Sequence, residues 1–323
     1  MSSVARAASL AVACPGQGIV PRGCLAALRR HQHVFQHTLD CVDSVFGAKV
    51  SALLVQDPPA APDPWSRSTA NAQPAIVAST YALIQVLRAV TGIDLMADGR
   101  VAYFLGHSLG EYSALLLAGV LTLPQALHVA RQRGLMMEAL VREKAYEMRV
   151  LVFRPAAYGQ VHGLAAARGV LACANNASQI SVSGEPGELD ALVHELNTPR
   201  KTVLKQVSLP VAVPFHNRVL RAIEPRLLDL VPRPRPASKP VVSNFTGGVS
   251  AGNLFENTVR CNSAPVQWKA SMELLERAGV GAVVNLGPGS AVDAINAKFG
   301  LANYPVKCEA DMQRLAAALS PAP

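Results

Sequence analysis

The strand pattern Val101-Ala102-Tyr103-Phe104-Leu105 runs directly into Gly106-His107-Ser108-Leu109-Gly110, and the chain continues from Tyr112 to Leu117 as an apolar, helix-compatible stretch. Strand, Gly-x-Ser-x-Gly and helix in unbroken succession predict a sharp turn with the serine at its tip. The glycines have a steric role there, because two backbones pass so closely that a Cβ at position 106 or 110 would clash. Ser108 would project its hydroxyl from the tip as a nucleophile. The amide of Leu109 would stand at the helix N-terminus, where unpaired N–H groups can hold a developing oxyanion. The pentapeptide alone leaves a purely structural turn open as the alternative.

The rest of the chain supplies a setting for that turn. Leu10 to Cys14 reads as a strand ending in Pro15-Gly16-Gln17-Gly18, and a helix is predicted from about Leu25 to Phe46. Thr69 to Val90 is helical in pattern, with Pro74 expected in the first turn, where a missing N–H is harmless. Thr122-Leu123-Pro124 gives an N-cap and early proline for a helix to about Leu140. Beyond it, strands at Glu147 to Phe153, Gln179 to Ser183 and Thr202 to Val207 alternate with helices at Ala156 to Arg168 and Glu188 to Asn197. That β-α-β-α-β order predicts a small α+β insertion of ferredoxin-like type. After Pro214 the pattern gives a helix from Arg218 to Leu230, a strand at Val241 to Asn244, a helix at Ala270 to Ala278 and a strand at Ala282 to Leu286. The expected organisation is a hydrolase-like α/β large domain with a parallel sheet, built from residues 1–143 and 211–323, with 144–210 inserted as the small domain.

Composition narrows the function classes. With 323 residues, half of them hydrophobic, the chain can bury a sizeable core. Its longest apolar runs, 101–105 and 114–121, are too short to cross a bilayer, so no membrane span is expected. Six scattered cysteines without C-x-x-C spacing predict neither a metal cluster nor a disulfide framework. The net charge of +8 comes in small groups, among them Arg200-Lys201 with Lys205 and Arg218 with Arg221. Aromatics, at 5%, do not interleave with these groups as a base-stacking surface requires, which argues against nucleic acid. A modest positive field suits an acidic protein partner or an anionic substrate, and an ordinary solvated surface is the alternative. Neither glycine-proline turn ends in Gly-Lys-Ser/Thr, so nucleotide hydrolysis is not expected. No acidic residue precedes Asp40, and Met1 to Ala8 resembles the end of an organelle-import segment.

An activated serine needs a base. Six of the eight histidines fall on predicted helices, and His107, beside the serine on a tight turn, is expected to point elsewhere. His216 lies in Pro210-Val-Ala-Val-Pro-Phe-His-Asn217, a proline-constrained apolar segment able to hold an imidazole rigid. Spacing alone leaves a plain loop histidine equally open.

Taken together, Pro15-Gly16-Gln17-Gly18, Gly106 to Tyr112, Arg133-Gly134, Asn175-Asn176 before Val182-Ser-Gly184, Pro214-Phe-His-Asn217, Pro265-Val-Gln-Trp268 and Gly287-Pro-Gly289 resemble the malonyl-CoA:acyl carrier protein transacylase family. The likeness covers nearly the whole chain, and within the family it is closest to the stand-alone fungal mitochondrial enzymes. It implies ping-pong transfer of a malonyl group from malonyl-CoA to the phosphopantetheine thiol of an acidic acyl carrier protein, for fatty acid synthesis, without a metal or cofactor. By the same resemblance Ser108 is the nucleophile and His216 the base, oriented by the backbone carbonyl of Gln267. Backbone amides of Gln17 and Leu109 form the oxyanion hole, and Arg133 holds the malonyl carboxylate. Phe215, His107 and Asn176 line the pocket, with Phe215 favouring malonyl over branched extenders. A mitochondrial matrix location is implied as well. Two other readings remain. An esterase or thioesterase would usually carry its histidine later in the chain, and a non-catalytic carrier-binding homologue would not need Ser108, His216 and Arg133 intact.

Overall fold

The fold is taken from a computed structural model that describes residues 9–18, 22–58, 64–250 and 252–320. The run Met1 to Ala8 and residues 59–63 lie outside the described residues. Among the described residues, nine strands form two sheets: β1 (Leu10–Cys14), β2 (Val101–Gly106), β3 (Glu147–Phe153), β4 (Leu171–Asn176), β5 (Gln179–Gly184), β6 (Val203–Ser208), β7 (Val241–Val242), β8 (Ala282–Leu286) and β9 (Ala302–Val306). The larger sheet has the order β7-β2-β1-β8-β9 and is parallel throughout. Every residue of β1 is buried, as a central strand covered on both faces requires. The register pairs Cys14 with Gly106, so the loop after β1 and the turn after β2 leave the same edge side by side. That edge is the carboxyl end of a parallel sheet, where open α/β sheets bind their ligands.

Helix Thr69–Thr91 packs against helices Gln32–Phe46 and Leu123–Leu140 and forms the middle of the large-domain core. By length and composition it could cross a bilayer, although its sequence holds no long uninterrupted apolar run. Most of its apolar window is buried within the protein. Ser68 caps it by accepting the Asn71 N–H at 3.3 Å. Pro74 falls in its interior rather than its first turn, so the Ala70 carbonyl loses its usual i+4 donor. Packing rather than propensity holds the helix through that position. Helix Leu123–Leu140 begins as predicted, with Thr122 and Gln125 completing a capping box.

The second sheet is antiparallel, in the order β4-β5-β3-β6, with helices Tyr158–Ala167 and Pro186–Leu196 packed on it around a core of its own. The sequence order is β-α-β-β-α-β, the full ferredoxin-like unit. The pattern reading lacked β4: Val170 to Ala174 is a short apolar run whose periodicity does not separate strand from helix end. Three other expectations change. The predicted helix from Leu25 divides into a 3-10 turn, Ala26–His31, and helix Gln32–Phe46. The predicted helix from Arg218 divides into a 3-10 turn, Arg218–Ile223, and helix Glu224–Leu228, with Pro225 at its start. The strand predicted to Asn244 stops at Val242, because Ser243 accepts the Gly247 N–H at 2.8 Å and turns the chain.

Two seams join the sheets. Val266 pairs with β4 through Ala174 N–H to Val266 O and Val266 N–H to Ala172 O, both at 2.9 Å. Ser183 on β5 donates to the Phe215 carbonyl at 2.8 Å, and Asn217 donates to the Ser183 carbonyl at 2.8 Å. Both seams end on the segments that flank His216 in space.

Candidate active site

The turn after β2 is as tight as the glycines predict. A Cβ on Gly106 would run into the Gly110 backbone, and one on Gly110 would lie 2.7 Å from the Cys14 carbonyl carbon and 2.8 Å from the Pro15 oxygen. Ser108 has φ of 54° and His216 has φ of 63°; among the described residues they are the two non-glycines with positive φ. Each such backbone costs about 1–3 kcal/mol and persists only where its surroundings over-determine it. Asn244 does much of that: its Oδ1 accepts the Ser108 N–H at 2.8 Å and its Nδ2 donates to the Gly106 carbonyl at 2.5 Å. Glu111, in the first turn of the elbow helix Gly110–Leu117, accepts the Asn244 N–H at 3.1 Å.

Ser108 Oγ lies 2.6 Å from His216 Nε2, and His216 Nδ1 lies 2.7 Å from the Cys261 carbonyl oxygen. A carbonyl only accepts, so the proton sits on Nδ1 and Nε2 is left to accept from the serine. Burial, reinforced by the charge of Arg133, pulls the His216 pKa from 6.5 down to about 3, so the imidazole is neutral at pH 7. The carbonyl belongs to Cys261, not to Gln267. Gln267 is the N-cap of helix Trp268–Arg277, and its carbonyl is taken by the Ser271 N–H and hydroxyl, both at 3.0 Å.

The loop after β1 closes on the elbow at Gly16, where a Cβ would stand 2.7 Å from the His107 carbonyl oxygen; Gly18 has open space around it. Gln17 is pinned by its side chain, which donates to Thr69 Oγ1 and accepts from Gln73 Nε2, both at 3.3 Å. Among the described residues, the N–H groups of Gln17 and Leu109 donate to no protein acceptor. Ser108, His216, Gln17, Arg133 and Phe215 line one cleft open to solvent, together with Met148, Cys173 and Ser181 of the small sheet.

Arg133 comes from helix Leu123–Leu140 and is 2% exposed. Its Nε donates to Asn262 Oδ1 at 2.6 Å, and it forms no ion pair among the described residues. The rings of Tyr112 and Phe215 flank the guanidinium at 5.5 and 5.9 Å from its Cζ. A buried guanidinium lining a cleft, with its charge uncompensated by a carboxylate among the described residues, can hold the carboxylate of a ligand.

His107 lines the cleft, as the family resemblance implies, although the tight turn by itself suggested that it points elsewhere. Its ring stands edge-on to Trp268, 5.2 Å between centroids, and its Nε2 is 3.0 Å from Asn175 Oδ1. Asn176 does not reach the cleft. It is buried at the end of β4, where its Oδ1 accepts from the Ser178 N–H and hydroxyl at 3.0 and 3.1 Å. Alternation along β4 decides this: adjacent residues point to opposite faces, and Asn175 takes the cleft side. Asn244 and Asn262 gave no signal in the sequence, since their partners lie more than a hundred residues away.

The acyl transferase domain family model matches residues 12–298. The malonyl CoA-acyl carrier protein transacylase of Salmonella typhimurium is 27% identical over 302 residues, covering 88% of this chain and 91% of that relative. A crystal structure of malonyl-CoA:acyl carrier protein transacylase from Xanthomonas oryzae pv. oryzae matches with a TM-score of 0.84 at 27% identity, covering 96% of this chain and 98% of that one. A malonyl-transacylase solved in complex with a type II PKS acyl-carrier protein matches with a TM-score of 0.81 at 25% identity, covering 96% and 99%. The family match spans both seams and every element of the cleft, and this chain belongs to the acyl transferase domain family.

Proposed function

We propose that this chain transfers a malonyl group from malonyl-CoA to the phosphopantetheine thiol of an acyl carrier protein, through a malonyl ester on Ser108. The observation that carries the reading is the shared cleft: the Ser108–His216 pair and the buried, carboxylate-free Arg133 line the same space. Neutral His216 takes the Ser108 proton through Nε2 as Oγ attacks the thioester carbon. The Gln17 and Leu109 N–H groups stabilise the oxyanion, and the Cys261 carbonyl steadies the imidazolium. The proton then passes to the departing coenzyme A sulfur. The carrier thiol repeats the sequence in reverse, giving its proton to His216 and freeing Ser108. Arg133 holds the malonyl carboxylate throughout, and a carboxylate-free acyl group would leave that cation unpaired.

Intact-protein mass spectrometry tests this. Incubation with malonyl-CoA should add one malonyl group, absent in Ser108→Ala, and acyl carrier protein should remove it with malonyl appearing on the carrier. Rapid loss of the adduct to water without a carrier would instead favour a thioesterase; no adduct would favour a carrier-binding homologue.

The reading extends to an acidic carrier docking on the exposed Arg200, Lys201, Lys205, Arg218 and Arg221. Charge reversal there should raise KM for the carrier and leave KM for malonyl-CoA alone; equal changes would defeat it. It extends also to the mitochondrial matrix, supported by the acid-free N-terminal sequence and the resemblance to fungal mitochondrial enzymes. Cytosolic fluorescence of a C-terminally tagged full-length chain would overturn that location.

A further inference from the structure

Asn262 stands where the two halves of the site meet. It belongs to the 3-10 turn Cys261–Ser263, directly after the residue whose carbonyl holds His216. It is 1% exposed, and both ends of its side-chain amide are hydrogen-bonded inside the protein. Its Nδ2 donates to the Val259 carbonyl at 2.7 Å and to the Tyr112 hydroxyl at 3.3 Å. These bonds fix the amide: reversed, it would set NH2 against the guanidinium N–H and oxygen against a carbonyl. Oδ1 therefore faces Arg133 Nε, at 2.6 Å.

Two consequences follow from this geometry. With Nε anchored and the Tyr112 and Phe215 rings alongside, the guanidinium keeps one orientation, with its terminal amino groups left for the cleft. Asparagine is also neutral. It satisfies the Nε–H while leaving the positive charge uncompensated, whereas a carboxylate at the same place would form an internal ion pair and repel an incoming carboxylate.

We propose that Asn262 is a positioning and specificity-determining residue, a neutral anchor that aims the Arg133 fork into the cleft and keeps its charge available for the substrate carboxylate. The proposal rests on the reading of Arg133 as the receptor for that carboxylate.

The test compares malonyl-CoA with acetyl-CoA as acyl donor to acyl carrier protein, in the full-length chain and in Asn262→Asp, Arg133→Ala and the double variant. Asn262→Asp should lower kcat/KM for malonyl-CoA by about ten- to a hundredfold, mainly through KM, and lower acetyl transfer far less. The malonyl-to-acetyl ratio falls accordingly. In the Arg133→Ala background the same substitution should have no further effect on the ratio. Should Asn262→Asp fail to fold, Asn262→Ser, neutral but too short to reach Nε, should lower the ratio to a smaller degree. An unchanged ratio, or equal losses with both donors, overturns the proposal. If Arg133→Ala itself leaves the ratio unchanged, the receptor reading falls; if it shifts the ratio while the Asn262 variants do not, only the role of Asn262 falls.

Discussion

On the serine wall of the cleft, Ser108, His216, the Cys261 carbonyl and Asn244 are joined by hydrogen bonds of 2.6 to 2.8 Å, and the backbone around them is held in conformations that cost energy. On the arginine wall, one buried cation is held through Nε by a neutral amide beside the Tyr112 hydroxyl, and it forms no ion pair among the described residues. The Ser108–His216–Cys261 chain of hydrogen bonds is complete without substrate. The arginine wall is complete only with an anion in place, and its buried charge is a penalty that the right ligand removes. On the proposed reading, bond-making and selection fall to different walls, the first held in place before binding, the second completed by the ligand.

Substitutions on the serine wall should show how much rigidity it needs. Gly110→Ala has the largest expected effect, because its Cβ would press on the Cys14 and Pro15 backbone rather than on a side chain that can move. Overpacking of this kind costs about 1–3 kcal/mol or more, so Tm should fall by several degrees and acylation of Ser108 should be lost. Normal acylation would mean the elbow is slacker than described.

Glu111 comes next. Burial raises its pKa from 4.5 to about 7, and Oε1 has no partner among the described residues. A carboxyl whose folded pKa is raised is favourable to the fold while protonated. That contribution is fully present below pH 4.5 and is lost as pH rises through about 7. Glu111→Gln removes the titration, so between pH 5 and 8 its Tm should rise relative to the native chain, on the order of 2–3 kcal/mol in stability. Parallel pH profiles of the two proteins would show that Glu111 does not titrate in this range.

Cys261→Ala should have the smallest effect. The backbone carbonyl, not the thiol, holds His216, so acylation should stay within about a factor of three of the native rate. A collapse of activity would give the Cys261 thiol a role of its own.

Local chemistry made much of this legible in the sequence. The elbow, β1, β8, the Thr122 cap and the proline-bound His216 all depend on residues next to one another in the chain. What stayed hidden is set by tertiary contact. Which carbonyl faces His216 depends on how a segment 45 residues away folds, and Gln267 was excluded only by its use as a helix cap. The cleft-facing member of Asn175-Asn176 depends on the phase of a strand too short to announce itself. Asn244 and Asn262 act across 136 and 129 residues, where neither spacing nor composition carries information.

The division of labour between the walls is tested most directly by the ratio of malonyl to acetyl transfer onto Ser108 in Arg133→Ala, measured against the native chain. Loss of two charge-assisted hydrogen bonds predicts a fall in that ratio of about a hundredfold or more, with acetyl transfer retained or improved. A ratio equal to that of the native chain would contradict the account, since Arg133 would then select nothing.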